Sequence, residues 1–86
     1  MSYFWKEGIA IEVKADPFGR PETIVWNEKR HKVQRVANRW IIDDRWWEET
    51  GRIWRTYYKI ATEDGLLLIV FQNVVEEDWY IQRLYD

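Results

Sequence analysis

The stretch from Tyr57 to Phe71 constrains the fold most, because it reads as a β-hairpin with its turn marked. Asp64-Gly65 is a favoured pair for a two-residue type I′ turn, in which both central residues need positive φ. Such a turn pairs Glu63 with Leu66 and sets the register of the ladder below it. One face then carries Tyr58, Ile60, Thr62, Leu67, Ile69 and Phe71, and is the better core. The opposite face carries Tyr57, Lys59, Ala61, Leu66, Leu68 and Val70. It is too apolar for open water. Its cover is expected from the rest of a closed barrel, from the N-terminal segment, or from another subunit in a homo-oligomer.

The remaining segments also read as strands. Ile9, Ile11 and Val13 alternate with Ala10, Glu12 and Lys14, the period of a half-buried strand. Asp16-Pro17-Phe18-Gly19-Arg20-Pro21 breaks that strand, and Ile24-Val25-Trp26 starts the next. A turn over Asn27-Glu28-Lys29-Arg30 leads back through Val33 and Val36, whose spacing of three predicts a bulge. Trp40-Ile41-Ile42 continues or restarts this strand, and Trp79 to Tyr85 forms the last. Asp43 to Gly51 suits either a short helical turn or the end of a hairpin. Sustained helical periodicity is absent. The expectation is therefore one all-β domain over residues 1–86, with a small antiparallel sheet of five or six strands curled into a barrel-like roll, and at most one helical turn near 43–50.

Aromatic residues supply the bulk such a domain needs. Seven Trp, five Tyr and three Phe occur in 86 residues, and a chain this short buries only about 60–65% of its unfolded surface. Charge is uneven. The net charge is −2, yet Lys29–Lys59 carries +5 and Ile60–Asp86 carries −5. The simplest expectation is that the basic middle strands pair with the acidic last strands inside the sheet.

Several function classes find no residues to carry them. The chain has no cysteine, which removes disulfide scaffolds, Cys zinc sites and Cys nucleophiles. Its longest apolar run, Leu66 to Phe71, is too short for a membrane span. The opening Met-Ser-Tyr-Phe-Trp-Lys-Glu has no signal-peptide pattern, so a cytoplasmic location is expected. The only histidine, His31, stands among Lys29, Arg30 and Lys32 and reads as an exposed polar residue. No phosphate loop, nucleophile elbow or metalloprotease motif occurs. Paired carboxylates such as Asp43/Asp44 and Glu48/Glu49 fall at turns, where they read as solvated surface. The expectation is a non-enzymatic protein without cofactor or metal.

Binding residues concentrate in the middle of the chain. Arg39, Arg45, Trp46, Trp47, Arg52, Trp54, Arg55 and Tyr57 lie within one short segment. Rings interleaved with guanidinium groups serve two kinds of partner. Bases of single-stranded nucleic acid stack on rings while arginines hold phosphates. Protein interfaces use Trp, Tyr and Arg as anchors of large area. Trp46 and Trp47 are adjacent, so in a strand they point to opposite faces and at least one is partly exposed.

These aromatic landmarks carry a resemblance. Trp40-Ile41-Ile42-Asp43-Asp44-Arg45-Trp46-Trp47, then Tyr57-Tyr58-Lys59 with Glu63-Asp64-Gly65-Leu66, and the closing Trp79-Tyr80-Ile81-Gln82-Arg83-Leu84-Tyr85-Asp86 resemble an uncharacterised bacterial domain. That domain is appended to the C-terminal end of ImuB-type proteins, which are similar to Y-family translesion DNA polymerases, and it also occurs as short stand-alone proteins. Arg20-Pro21 and Ile24-Val25-Trp26 fit the same pattern, so the resemblance covers residues 20–86 and leaves out 1–18. It implies an accessory or docking role in bacterial DNA repair and translesion synthesis, with a polymerase-like or repair protein as partner. It lends no catalytic residue. The alternative expectation is direct binding of single-stranded or primer-template DNA through the aromatic and basic segment.

Overall fold

The computed structural model describes residues 2–44 and 53–85. Six strands follow one another: β1 (Tyr3–Ala15), β2 (Pro21–Trp26), β3 (Lys29–Asp44), β4 (Ile53–Thr62), β5 (Leu67–Asn73) and β6 (Trp79–Tyr85). Each pairs antiparallel with the next, and β6 returns to β1 through Tyr3–Leu84 and Ile11–Trp79, closing the sheet into a barrel-like ring. The expected all-β roll is thus what forms. Among the described residues no helix is long and apolar enough to cross a membrane. Asp43 and Asp44, placed in the expected helical turn near 43–50, are the last residues of β3. The rest of that stretch lies outside the described residues.

The type I′ turn forms in a different hairpin from the one expected. Asn27 and Glu28 both carry positive φ, 56° and 62°, between the paired residues Trp26 and Lys29. At the β4–β5 hairpin only Gly65 does, with φ 92°. There Gly65 N–H donates to the Thr62 carbonyl at 3.1 Å, and Thr62 N–H to the Leu66 carbonyl at 2.9 Å. The loop therefore holds three residues, a tight turn closed by glycine in the left-handed region. Two contacts explain the extra residue. Glu63 N–H donates to the Lys32 carbonyl at 2.9 Å, and the Asp64 carboxylate meets His31 Nδ1 at 2.8 Å. Glu63 is thereby committed to β3 instead of to Leu66.

The consequence is a register one residue away from the expected one. Ile60 faces Leu68 and Tyr57 faces Phe71. A slip of one exchanges the faces of a strand, so Leu68 and Val70 join Tyr58, Ile60 and Thr62 inside, while Leu67, Ile69 and Phe71 join Tyr57, Lys59 and Ala61 outside.

Inside the ring, Ile24, Ile60, Leu68, Val70 and Ile81 are wholly buried. Trp79 and Tyr58 close one end, their rings 5.6 Å apart. Trp5 packs edge-on against Trp26 at 6.4 Å, and Trp26 in turn lies 6.2 Å from His31. The interior is filled by side chains, as narrow barrels require. The bulge expected from Val33 and Val36 is present: the β3–β4 register shifts between Val33 and Arg35 and again between Val36 and Asn38.

His31 corrects the reading of an exposed histidine. The type I′ turn sets Ile24 opposite His31, and Ile24 points inward, so the ring follows it to 5% exposure. The expected pairing of basic middle strands with acidic last strands does not form in the described ladder either. Lys59 and Arg83 both stand beside Ile69, and Arg55 faces Asn73. The carboxylates of the last third sit in the connections, at Glu63-Asp64 and Glu76-Glu77-Asp78.

Candidate interaction surface

The outer face of β3–β6 is built by strand alternation. Trp40 is paired with Tyr57, Tyr57 with Phe71, and Phe71 with Tyr80. Their rings form one continuous row. Trp40 stacks on Tyr57 at 5.3 Å and 7° between planes, Tyr57 meets Phe71 at 5.1 Å, and Phe71 stacks on Tyr80 at 5.1 Å. Such cross-strand aromatic pairs each contribute about 0.2–1 kcal/mol. The row ends on β1 at Gly8, which leaves room for the Phe71 ring.

A second row lies beside it: Lys59, Ile69, Arg83 and Phe4 are successive cross-strand neighbours. Its cations rest on rings. Lys59 Nζ lies 5.3 Å from the Tyr85 ring centre, and the Arg83 guanidinium lies 5.1 Å from Phe4 and 5.5 Å from Tyr85. Arg55 covers Phe71 at 4.5 Å and donates to the Tyr57 hydroxyl at 3.2 Å. These contacts place cations against the negative faces of the rings. Phe71 and Tyr57 are thereby sealed, at 1% and 4% exposure, although they point away from the core. Leu68 and Val70, which the expected register set on the face in need of cover, lie inside the closed ring, and the outer wall is covered by its own rings and cations and, at Gly8, by β1. Trp40, Tyr80 and Tyr85 stay half-buried, and Phe4 is 55% exposed.

The residues singled out in the sequence separate here. Arg55 and Tyr57 belong to the outer wall. Arg39 does not. It stands opposite Tyr58, whose ring points inward, and its guanidinium lies 5.9 Å from that ring at the mouth of the barrel. The Tyr58 hydroxyl donates onward to the Gly19 carbonyl at 3.4 Å. Trp54 alternates with Arg55, faces Asp43 across the ladder, and accepts the Val74 N–H at its carbonyl at 3.0 Å. Arg45, Trp46, Trp47 and Arg52 lie outside the described residues. Of the residues of that segment that are described, Arg39 lies at the mouth, and Arg55 and Tyr57 lie on the wall.

Phe4, Phe71, Tyr80, Arg83 and Tyr85 complete the wall, and the sequence reading had not assigned them to it. The signal was hidden by an irregularity. Ile69 pairs with Arg83 but Val70 with Ile81, leaving Gln82 as an extra residue. Simple alternation along β6 therefore fails, and Tyr80, Arg83 and Tyr85 all come to face outward.

The other titratable feature is the pair formed by His31 and Asp64. Hydrogen bonds from Thr62 first, and from His31 second, hold the Asp64 carboxyl below its ordinary value. The pair fastens the β4–β5 loop to β3. Among the described residues, no three His, Asp or Glu side chains are placed to hold a metal ion together. Compared with protein families, curated proteins and solved structures, the chain matches none.

Proposed function

We propose that this chain is a non-enzymatic interaction module that docks a protein partner on the outer wall of β3–β6. The observation that carries the reading is the wall itself. Arg55, Lys59 and Arg83 lie on aromatic rings of one face, and Arg, Tyr and Trp are the residues that anchor protein interfaces. The filled interior directs recognition to the surface. By the resemblance described above, the partner is a polymerase-like or repair protein of bacterial translesion synthesis.

Single-stranded DNA is the second reading, favoured by three cations on one face. It is the weaker one. Base stacking needs open ring faces, and Tyr57 and Phe71 are covered by their neighbours and by Arg55.

The experiment is a calorimetric titration of a purified ImuB-type polymerase-like protein into the wild type and into Lys59→Glu/Arg83→Glu. Binding that the double variant loses supports the proposal. No binding, or equal binding by both, overturns it. A parallel titration with an oligothymidylate at low and high salt separates the readings. Phosphate-led binding weakens steeply with salt, and its appearance would favour DNA.

A further inference from the structure

The strands β4, β5 and β6 contain no carboxylate on either face, in a chain with 15 Asp and Glu against 13 Lys and Arg. Their cations, Arg55, Lys59 and Arg83, all stand on the outer wall. Lys59 and Arg83 flank Ile69 across the ladder. Both charged heads lie over one ring, that of Tyr85, at 5.3 and 5.5 Å from its centre. Among the described residues neither joins an ion pair. The neighbouring β4–β5 loop does not neutralise them, because its Asp64 carboxylate is turned to His31 at 2.8 Å. Glu76, Glu77 and Asp78 lie in the connection at the other end of β5. Like charges held side by side oppose each other, so the fold maintains a positive site here that nothing in its own strands balances. Apolar surface adjoins it: Phe4 is 55% exposed and Ile69 is half-buried.

We infer that Lys59 and Arg83, held on the Tyr85 ring, form a carboxylate-binding site, which a protein partner fills with an acidic segment carrying an apolar side chain beside its Asp or Glu residues. The inference rests on the outer wall as the docking face and names the chemistry of what docks there. An ammonium and a guanidinium that converge on one ring offer donors to the same incoming carboxylate, and charge-assisted hydrogen bonds of this kind are the strong ones. The adjoining apolar side chain covers Ile69 and Phe4. A nucleic acid brings phosphates to the same cations, but its bases meet rings that already lie under a cation, Tyr85 under Lys59 and Arg83, and Phe4 under Arg83. Stacking has to displace those cations. A carboxylate does not, because it approaches them from the side turned away from the ring.

The test is selection of a displayed random dodecapeptide library on the immobilised chain, which requires no named partner. The wild type is expected to enrich peptides with Asp or Glu next to Leu, Ile or Phe. The best of them, made synthetically, should bind Lys59→Gln/Arg83→Gln about tenfold more weakly or worse, and its binding to the wild type should weaken with salt. Lys14→Gln/Arg30→Gln removes the same charge from exposed positions around Thr23 and Val25 and should bind as the wild type does. Circular dichroism confirms that each variant is folded. If the wall variant is not, amide shift mapping of the peptide on the wild type decides, with perturbations expected at Lys59, Ile69 and Arg83. Enrichment of no acidic peptide overturns the inference, as does equal binding to the folded wall variant or perturbation elsewhere on the barrel. An oligothymidylate that binds through Lys59 and Arg83 where no acidic peptide does overturns it in favour of nucleic acid. If the ImuB-type protein docks on the wall while the library yields no acidic peptide, the docking face stands and only the acidic segment falls. If the peptides bind and that protein does not, the site stands and the partner's identity falls.

Discussion

Gly8 and Phe71 meet on the outside of the barrel with no space between them for a side chain. A Cβ on Gly8 would lie 3.0 Å from the Phe71 ring and 2.8 Å from Tyr80 Cβ, at a backbone φ of +80°. Gly8→Ala combines overpacking with left-handed strain and is expected to cost about 2–4 kcal/mol. Gly65→Ala shares only the strain, since its Cβ would meet nothing within 4 Å, and is expected to cost about 1 kcal/mol. Urea unfolding of both variants checks the difference. Equal costs would mean that Phe71 does not rest on Gly8.

The carboxylate of Asp64 adds a pH dependence whose direction follows from its cause. Its pKa is lowered in the folded chain by Thr62 and His31. The stabilisation is therefore complete above the unfolded value of about 4 and is lost as pH falls through the lower folded value. Melting temperatures of wild type and Asp64→Asn should differ at neutral pH and converge in acid. A difference that persists unchanged to the lowest pH would show that the carboxylate charge plays no part.

Glu28 occupies a left-handed position, φ 62°, that suits glycine better. Glu28→Gly creates the preferred Asn-Gly pair for this turn. Relief of strain should exceed the added chain entropy and stabilise the protein by about 0.5–1 kcal/mol. Thermal or urea unfolding reads the sign, and a destabilised variant would count against a type I′ turn at Asn27-Glu28.

Arg55 sets its guanidinium carbon 4.5 Å from the centre of the Phe71 ring and donates a hydrogen bond to Tyr57. An ammonium group is a compact point charge without the fork of donors that makes both contacts at once. Arg55→Lys should lose about 1 kcal/mol of stability, and near-UV circular dichroism should report the altered ring row. Unchanged stability and spectrum would show that the guanidinium does not hold the row.

How far the fold could be read in advance differs from hairpin to hairpin. Positive φ at Gly65 was legible because only the local backbone demands it. The length of that loop was not, since His31 and Lys32 on β3 decide it from a distant part of the chain. The β3 bulge was legible in the spacing of Val33 and Val36. The split of Arg39 from Arg55 follows from pairing alone: Arg39 faces Tyr58 and Arg55 faces Ile42. Arg39 and Ile42 are three positions apart on β3, so the two arginines lie on opposite faces. Phe4 and Gly8 complete the wall through the β1–β6 closure, a contact between the two ends of the chain that no local pattern announces.

The most direct test of the outer wall as the docking face is amide chemical-shift mapping of the isotope-labelled chain on addition of the ImuB-type polymerase-like protein. The predicted result is a contiguous set of perturbations over Lys59, Ile69, Tyr80, Arg83 and Tyr85, absent in Lys59→Glu/Arg83→Glu. Perturbations confined to the opposite side of the barrel, around Thr23, Val25 and Arg30, would contradict it.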